Sequence, residues 1–306
     1  MEFPTRGDVD HLIDPQPLPS FARVRYDPPS ETLDAPVAVA REELDELDVS
    51  TLEPGATVAI GVGSRGIHRI DGVAAAAVEW ATDRGFEPIV VPAMGSHGGA
   101  TAAGQREVLA SLGVDEERLG APIDARMDAE QVATVSVGDT DVPVYVAAAA
   151  READGVVVVN RVKAHTNFTG PIESGLAKMT VVGLGKQRGA KSFHSAAIAE
   201  GYVETLSAAL EAIESTTPLL GGLALIENFD EELTHVEAVP AGSFLDREPA
   251  LLRRAYDEMA TLPVDDVDLL VVDEIAKRSP VPGWTPTSSA DTACSTRPTR
   301  RRRPST

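Results

Sequence analysis

The sequence predicts an α/β fold, Rossmann-like, with a mostly parallel sheet and helices on both of its faces. Two observations support this prediction. From residue 56 onward, short apolar runs alternate with longer helical runs, and glycine-bearing turns separate them. One apolar run, residues 155–159, is almost entirely valine, which is typical of a strand buried on both faces.

The elements follow one another in a regular order. The first unit is a strand at residues 57–61 and an Ala-rich helix at about 71–84. The second unit is a strand at 88–92 and a helix that begins near Thr101. Further strands are predicted at 142–146, 155–159, 223–226 and 267–272, and further helices at 195–213 and about 246–259. In such folds, ligands gather at the loops beyond the carboxyl ends of the strands.

The chain divides into three parts. Residues 1–50 are rich in proline and acidic residues and are predicted to be an extended lead-in, and residues 51–277 form the α/β body. Residues 277–306 contain seven basic residues and one acidic residue, against 20 basic and 47 acidic residues in the remainder. Residues 278–306 also lack apolar periodicity, so we expect a disordered basic tail produced by a shifted reading frame or a truncated gene.

Composition excludes several classes of protein. The formal net charge of -21 disfavours binding to nucleic acid or to anionic membranes. With one cysteine, the chain forms no internal disulfide and no Cys-based zinc site. The absence of a long apolar run and of a signal-peptide core predicts a cytoplasmic protein. An acidic surface with only five lysines indicates a halophilic source, although an ordinary acidic protein from a GC-rich genome has a similar composition.

Two of the six histidines stand out. His97 lies among Gly95, Gly98 and Gly99, where the backbone can approach a ligand closely. His165 lies in a dense polar segment directly after the valine strand. Two histidines on separate strand-end loops suit a racemase, in which one base serves each face of the substrate. A lone histidine is more often structural, and spacing alone leaves both interpretations open.

A third region, residues 174–194, contains several glycines and lysines. It has neither the G-x-x-x-x-G-K-[ST] pattern of a P-loop nor the G-x-G-x-x-G pattern of a dinucleotide-binding turn. Lys178 stands in an apolar stretch, where a partly desolvated amine gains nucleophilic character. A lysine whose ammonium group reaches the surface is the alternative interpretation.

Taken together, these motifs resemble the nickel-pincer nucleotide-dependent lactate racemase family, in its branch with a Gly-Ser-His-Gly-Gly loop. The resemblance covers about residues 55–277 and depends on four motifs that occur in the family's order. They are Gly95-Ser96-His97-Gly98-Gly99-Ala100-Thr101, Lys163-Ala164-His165-Thr166, Ser174-Gly175-Leu176-Ala177-Lys178, and His194 sixteen residues after Lys178.

The resemblance implies a role for each matching residue. Lys178 would hold the pyridinium-derived nickel-pincer nucleotide covalently, and His194 would ligate the nickel. His97 and His165 would be the catalytic acid/base pair, and Arg65 would lie near the cofactor or substrate. Lys277 matches a further family lysine near the site. By the same resemblance, we expect the family's second, C-terminal domain to be missing from this sequence.

The function implied is racemisation or epimerisation of a small, lactate-like 2-hydroxy acid by hydride transfer, with cofactor-synthesis proteins as partners. Two departures from the lactate enzymes, Val62 in place of an aspartate and the glycine-rich sequence around His97, fall near the expected pocket. The alternative is a non-catalytic remnant that binds the cofactor or a metal. A hydrolase is disfavoured, because neither G-x-S-x-G nor H-E-x-x-H is present.

Overall fold

A five-stranded sheet lies at the centre of the fold. The computed structural model describes residues 22–25, 31–64, 66–165, 168–259, 261 and 266. The strands of the sheet are β1 (Thr57–Val62), β2 (Glu87–Pro92), β5 (Gly155–Arg161), β6 (Leu219–Glu227) and β7 (Leu233–Pro240). Their order across the sheet is β2-β1-β5-β6-β7. Strands β1, β2, β5 and β6 are parallel, and β7 pairs antiparallel with β6. This arrangement confirms the predicted α/β class, and β7 is a strand that the sequence prediction lacked.

Helices cover both faces of the sheet. The α-helices are α1 (Pro36–Glu43), α2 (Ile70–Asp83), α3 (Ala102–Ser111), α4 (Glu116–Leu119), α5 (Ala148–Glu152), α6 (Leu176–Lys178), α7 (Lys186–Glu200), α8 (Tyr202–Thr216) and α9 (Phe244–Asp257). Helices α1 to α4 contribute to the core on one face, and α5 to α9 contribute to the core on the other.

Strand β5 shows why the valine run was informative. Val157 and Val159 point into the core beneath α2, whereas Val156 and Val158 point into the core beneath α8. All four side chains are fully buried. Because successive side chains of a strand point to opposite faces, a strand in the centre of a two-sided sheet needs apolar residues at every position.

Three predicted elements differ from the structure. Residues 195–213 are not one helix, because Gly201, with a φ of 103°, separates α7 from α8. The strand predicted at 142–146 belongs to a separate antiparallel hairpin, formed by β3 (Ala129–Val137) and β4 (Thr140–Ala147), which packs on α7 and α8. The extended lead-in predicted for residues 1–50 is helical at α1, where Ala40 is buried in the core.

The remaining C-terminal predictions lie outside the described residues. They are the strand at 267–272, Lys277 and the basic tail at 278–306. Among the residues that the structure describes, no helix has the length and apolar character needed to span a membrane.

Candidate functional site

The loops that bear His97 and His165 lie at one edge of the sheet. Strands β1, β2, β5 and β6 are parallel, so their carboxyl ends meet at that edge. The His97 loop (residues 93–101) follows β2, and the His165 loop (residues 162–175) follows β5. Arg65, which follows β1, and residues 166 and 167 of the His165 loop are outside the described part of the chain.

In the His97 loop, glycines allow a tight turn that no other residue would adopt easily. Gly98 has a φ of 65°, and a Cβ atom at this position would lie 2.5 Å from the backbone carbon of Gly104. The turn brings the imidazole of His97 to the end of β1, where the hydroxyl of the buried Ser64 is hydrogen-bonded to Nδ1 of His97. This bond fixes the ring and directs Nε2 away from Ser64.

The His165 loop is closed by backbone pairing and by a buried carboxylate. Lys163 and Ser174 pair through both of their backbone amides, at 2.9 and 3.3 Å. Glu173, which is 1% exposed, accepts hydrogen bonds from the backbone N–H of His165 at 2.6 Å and of Gly170 at 3.1 Å. Glu173 therefore holds the backbone at His165.

A chain of aromatic rings connects His165 to His194. The ring centroid of Tyr202 lies 5.8 Å from that of His165 and 5.4 Å from that of Phe193, and Phe193 lies 5.6 Å from His194. Phe168 stacks on Tyr202 at 4.3 Å. Because Tyr202 begins α8 and His194 is on α7, these contacts fix the His165 loop against the helix pair.

Lys178 ends the short helix α6, directly after the His165 loop. Its Nζ lies 3.5 Å from the Ser174 hydroxyl, and the side chain is partly buried. The next residues, Met179–Gly183, form a π-helical turn, a feature that is frequent at functional sites. The Gly183 carbonyl accepts a hydrogen bond from Gly95 N–H at 3.0 Å, so the Lys178 segment is also tied to the His97 loop.

The start of α6 is capped from a distant helix. Glu248 of α9 is 1% exposed and accepts a hydrogen bond from the backbone N–H of Ala177 at 2.8 Å. Burial raises the pKa of Glu248 to about 7, although hydrogen bonds from Ala177 and Leu176 oppose the rise. The carboxylate that orients the Lys178 segment thus titrates near neutral pH.

His194 lies on α7 with an exposed outer edge and with Phe193 against its ring. Partial burial lowers the pKa of His194, and the nearby ammonium group of Lys178 lowers it further. Both effects favour the neutral imidazole, which is the form that binds a metal ion. Lys178 and His194 are thus within electrostatic range of each other.

The described residues contain no group of three or more His, Cys, Asp or Glu side chains that could hold a metal ion alone. A cofactor that brings its own donor atoms needs fewer protein ligands than a bare ion. An amine and an imidazole within electrostatic range of each other suit such a group, because an amine can hold it covalently and an imidazole can ligate its metal.

The structure thus places Lys178 and His194 within electrostatic range of each other and fixes His97 and His165 in loops that contact the segment between them. Arg65 and Lys277 lie outside the described residues. Sequence reasoning assigned no role to three supporting residues, Ser64, Glu173 and Glu248. Ser64 and Glu173 each adjoin a motif, which was a usable signal, whereas Glu248 is 70 residues from Lys178 and gave none.

Comparison with known proteins gives a family and distant similarity to solved structures. The family described as "Domain of unknown function (DUF362)" matches residues 71–276. No curated protein matches the chain. The lactate racemase apoprotein from Thermoanaerobacterium thermosaccharolyticum is similar over 74% of this chain, with 14% identity and a TM-score of 0.49. The chain spans 56% of that protein.

Proposed function

The chain belongs to the DUF362 family, and from that premise and the strand-end geometry we propose that it is a racemase or epimerase of a small 2-hydroxy acid. In this proposal the enzyme uses a nickel-pincer nucleotide. One observation carries the proposal: the segment that bears Lys178 and His194 is joined to both histidine loops. Gly95 N–H donates to the Gly183 carbonyl at 3.0 Å, and Tyr202 lies between His165 and Phe193.

Each residue of this arrangement has a role suited to its surroundings. Lys178 would hold the cofactor through its amine, and His194 would ligate nickel through a neutral imidazole. When bound, the cofactor would accept hydride from the alpha carbon of the substrate and return it. Arg65 and Lys277 are further candidates for contact with the cofactor or the substrate.

The acid/base work falls to the two loop histidines. In one enantiomer the substrate hydroxyl would give its proton to His97, and in the other to His165, and the opposite histidine would return a proton. Ser64 holds Nδ1 of His97, so Nε2 is the ring nitrogen that would exchange this proton. Glu173 and Tyr202 hold His165 from its backbone and its ring. The protein thereby keeps two bases at fixed positions while the cofactor supplies the redox chemistry.

Attachment is tested by mass and metal content. After co-expression with the cofactor-making enzymes, the chain should gain a covalent mass adduct and nickel. Lys178→Ala should lose the adduct, whereas His194→Ala should keep the adduct and lose nickel, because a metal ligand has been removed and not the tether. Lys191→Ala, which alters an exposed lysine of the same helix α7, is the matched control and should keep both.

Catalysis is tested on a panel of 2-hydroxy acid enantiomers. The loaded chain should interconvert at least one pair, and His97→Ala and His165→Ala should each lose about 10²–10⁴-fold while keeping the adduct and nickel. An adduct that persists in Lys178→Ala would contradict the anchor. Adduct and nickel without interconversion of any pair would favour a non-catalytic cofactor-binding protein.

A further inference from the structure

A fully buried lysine lies beneath the His97 loop. Lys186 has no exposed surface, although it is the first residue of α7. Its Nζ donates to the Pro92 carbonyl at 2.8 Å and to Oε1 of Gln105 at 3.1 Å. Lysine is almost never fully buried unless it is paired, so these two acceptors account for its position.

Gln105 links Lys186 to the His97 loop. Gln105 is also fully buried, and its side-chain amide donates to the Gly95 carbonyl at 3.0 Å and to the His97 carbonyl at 3.4 Å. The pair thus binds the carbonyls of Pro92, where β2 ends, of Gly95 and of His97. A hydrophobic pair could fill the same space, but it could not donate to those carbonyls.

At its other end, the pair of Lys186 and Gln105 is part of α7, the helix that bears His194. Lys186 has a φ of 53°, a left-handed conformation that favours glycine, yet a lysine occupies it. The same helix carries His194 about two turns further on. Burial lowers the pKa of Lys186 to about 8, and the carboxylate of Asp124 opposes this shift. The strained, desolvated lysine therefore joins the helix that bears His194 to the loop that bears His97.

We propose that Lys186 and Gln105 are positioning residues, which fix the position of His97 relative to α7. The pair keeps the His97 ring in hydrogen-bond contact with Ser64. The inference rests on the proposed function for its catalytic meaning, because His97 is the acid/base group there. The geometric part, that the pair fixes the His97 ring, is testable in the protein without cofactor.

The test is the tautomer state of His97, read from nitrogen-15 NMR of histidine-labelled protein and assigned with His97→Ala. In the wild type, the bond to Ser64 should hold a single tautomer. Lys186→Met leaves the Pro92 carbonyl and Oε1 of Gln105 without this donor. The loop should shift, and the His97 signal should change to an exchanging mixture of tautomers. Lys191→Met, an exposed lysine on the same helix, should give the wild-type spectrum.

Gln105→Glu is the second variant, in case Lys186→Met does not fold. Its carboxylate still accepts from Lys186, but it cannot donate to Gly95 or His97, so the fold should persist while the single tautomer is lost. Gln187→Glu, which changes an exposed glutamine of α7, is its control. A wild-type His97 tautomer in both folded variants would overturn the inference.

Kinetics separates this inference from the proposed function. In loaded protein, Lys186→Met and Gln105→Glu should lower kcat by about 10²-fold, as expected for a misplaced catalytic group, with nickel content and KM little changed. If wild-type protein racemises nothing, the proposed function fails while the NMR result still decides the positioning role. If wild-type protein is active and both variants retain its kcat, the positioning role fails alone.

Discussion

The two histidine loops lie at the same edge of the sheet but are fixed in different ways. The His97 loop is held by hydrogen bonds from Gln105 to its carbonyls and by a hydrogen bond between Ser64 and its histidine ring. The His165 loop is held through its amides by one carboxylate, Glu173, and through its histidine ring by Tyr202. One loop is short and rich in glycine, and the other is longer and packs on aromatic rings.

The difference shows how one fold can fix two histidine loops through opposite kinds of hydrogen-bonding support. A glycine-rich turn has few side chains of its own, so its position must come from donors beneath it, here Lys186 and Gln105. A longer loop offers several backbone amides, so a single acceptor such as Glu173 can accept hydrogen bonds from more than one of them. Substitutions in the support of one loop should therefore disturb that loop and leave the other unchanged.

Glu173→Leu should break the His165 loop alone. The change leaves the backbone N–H groups of His165 and Gly170 and the Tyr256 hydroxyl, which donates to Glu173 at 2.9 Å, without their acceptor. The three donors are half-buried, so each should cost about 1 kcal/mol, the lower end of the range for an unpaired group, and the free energy of unfolding should fall by roughly 3 kcal/mol. Urea denaturation measures the loss, and the NMR signal of His165 should change while that of His97 stays.

Two further variants control this prediction. Glu173→Gln keeps one acceptor oxygen and should lose less stability than Glu173→Leu. Glu117→Gln alters an exposed carboxylate of α4 and should stay at the wild-type level. Equal changes in the His97 and His165 signals would show that the loops are not supported independently.

Glu248→Gln should change the pH dependence of stability. The pKa of Glu248 is raised from 4.5 to about 7 in the folded protein, so the folded state holds this proton more tightly than the unfolded state. Its contribution to stability is complete below about pH 4.5 and is lost as the pH rises to about 7. The loss amounts to about 3 kcal/mol, since one pKa unit corresponds to about 1.4 kcal/mol.

The measurement is urea denaturation between pH 5 and 8. The difference in unfolding free energy between the wild type and Glu248→Gln should change by up to about 3 kcal/mol over this range, because glutamine does not titrate. Glu211→Gln, an exposed acid on α8, is the control and should follow the wild type. A difference that does not vary with pH would mean that Glu248 is already ionised at pH 5 in the folded protein.

The sequence predicted the buried strands and the first long helix better than it predicted the break between two helices and the edge strand. The valine run of β5 and the Ala-rich α2 have periodicities that local packing dictates, so their positions followed directly. The break at Gly201 was missed, because the apolar pattern of α7 continues into α8 and only one glycine interrupts it. Strand β7 has a mixed composition, since it lies at an edge of the sheet.

The same distinction holds at the site. Histidines on glycine-rich or polar loops are visible as motifs, so His97 and His165 could be singled out. Glu173 and Gln105 are each eight residues from the histidine they support, but other contacts span long separations: Ser64 lies 33 residues from His97, and Lys186 lies 81 residues from Gln105. Only the folded sheet brings such pairs together. A buried charge such as Glu248 carries no sequence signal, because its helix has an ordinary amphipathic pattern.

The smallest expected effect on stability belongs to Ser64→Ala, which breaks the one side-chain contact to the His97 ring named above. Removing the hydroxyl costs one hydrogen bond, and alanine fits the space, so the free energy of unfolding should fall by only about 1 kcal/mol. Lys186 and Gln105 would still hold the backbone of the loop. The ring, however, would lose its partner at Nδ1 and exchange between tautomers. Ser64→Ala should thus give the His97 spectrum of Lys186→Met at nearly wild-type stability. Ser195→Ala, which alters an exposed serine of α7, should change neither quantity. A single tautomer retained in Ser64→Ala would mean that the backbone support alone orients His97, and the two loops would then differ less than their contacts indicate.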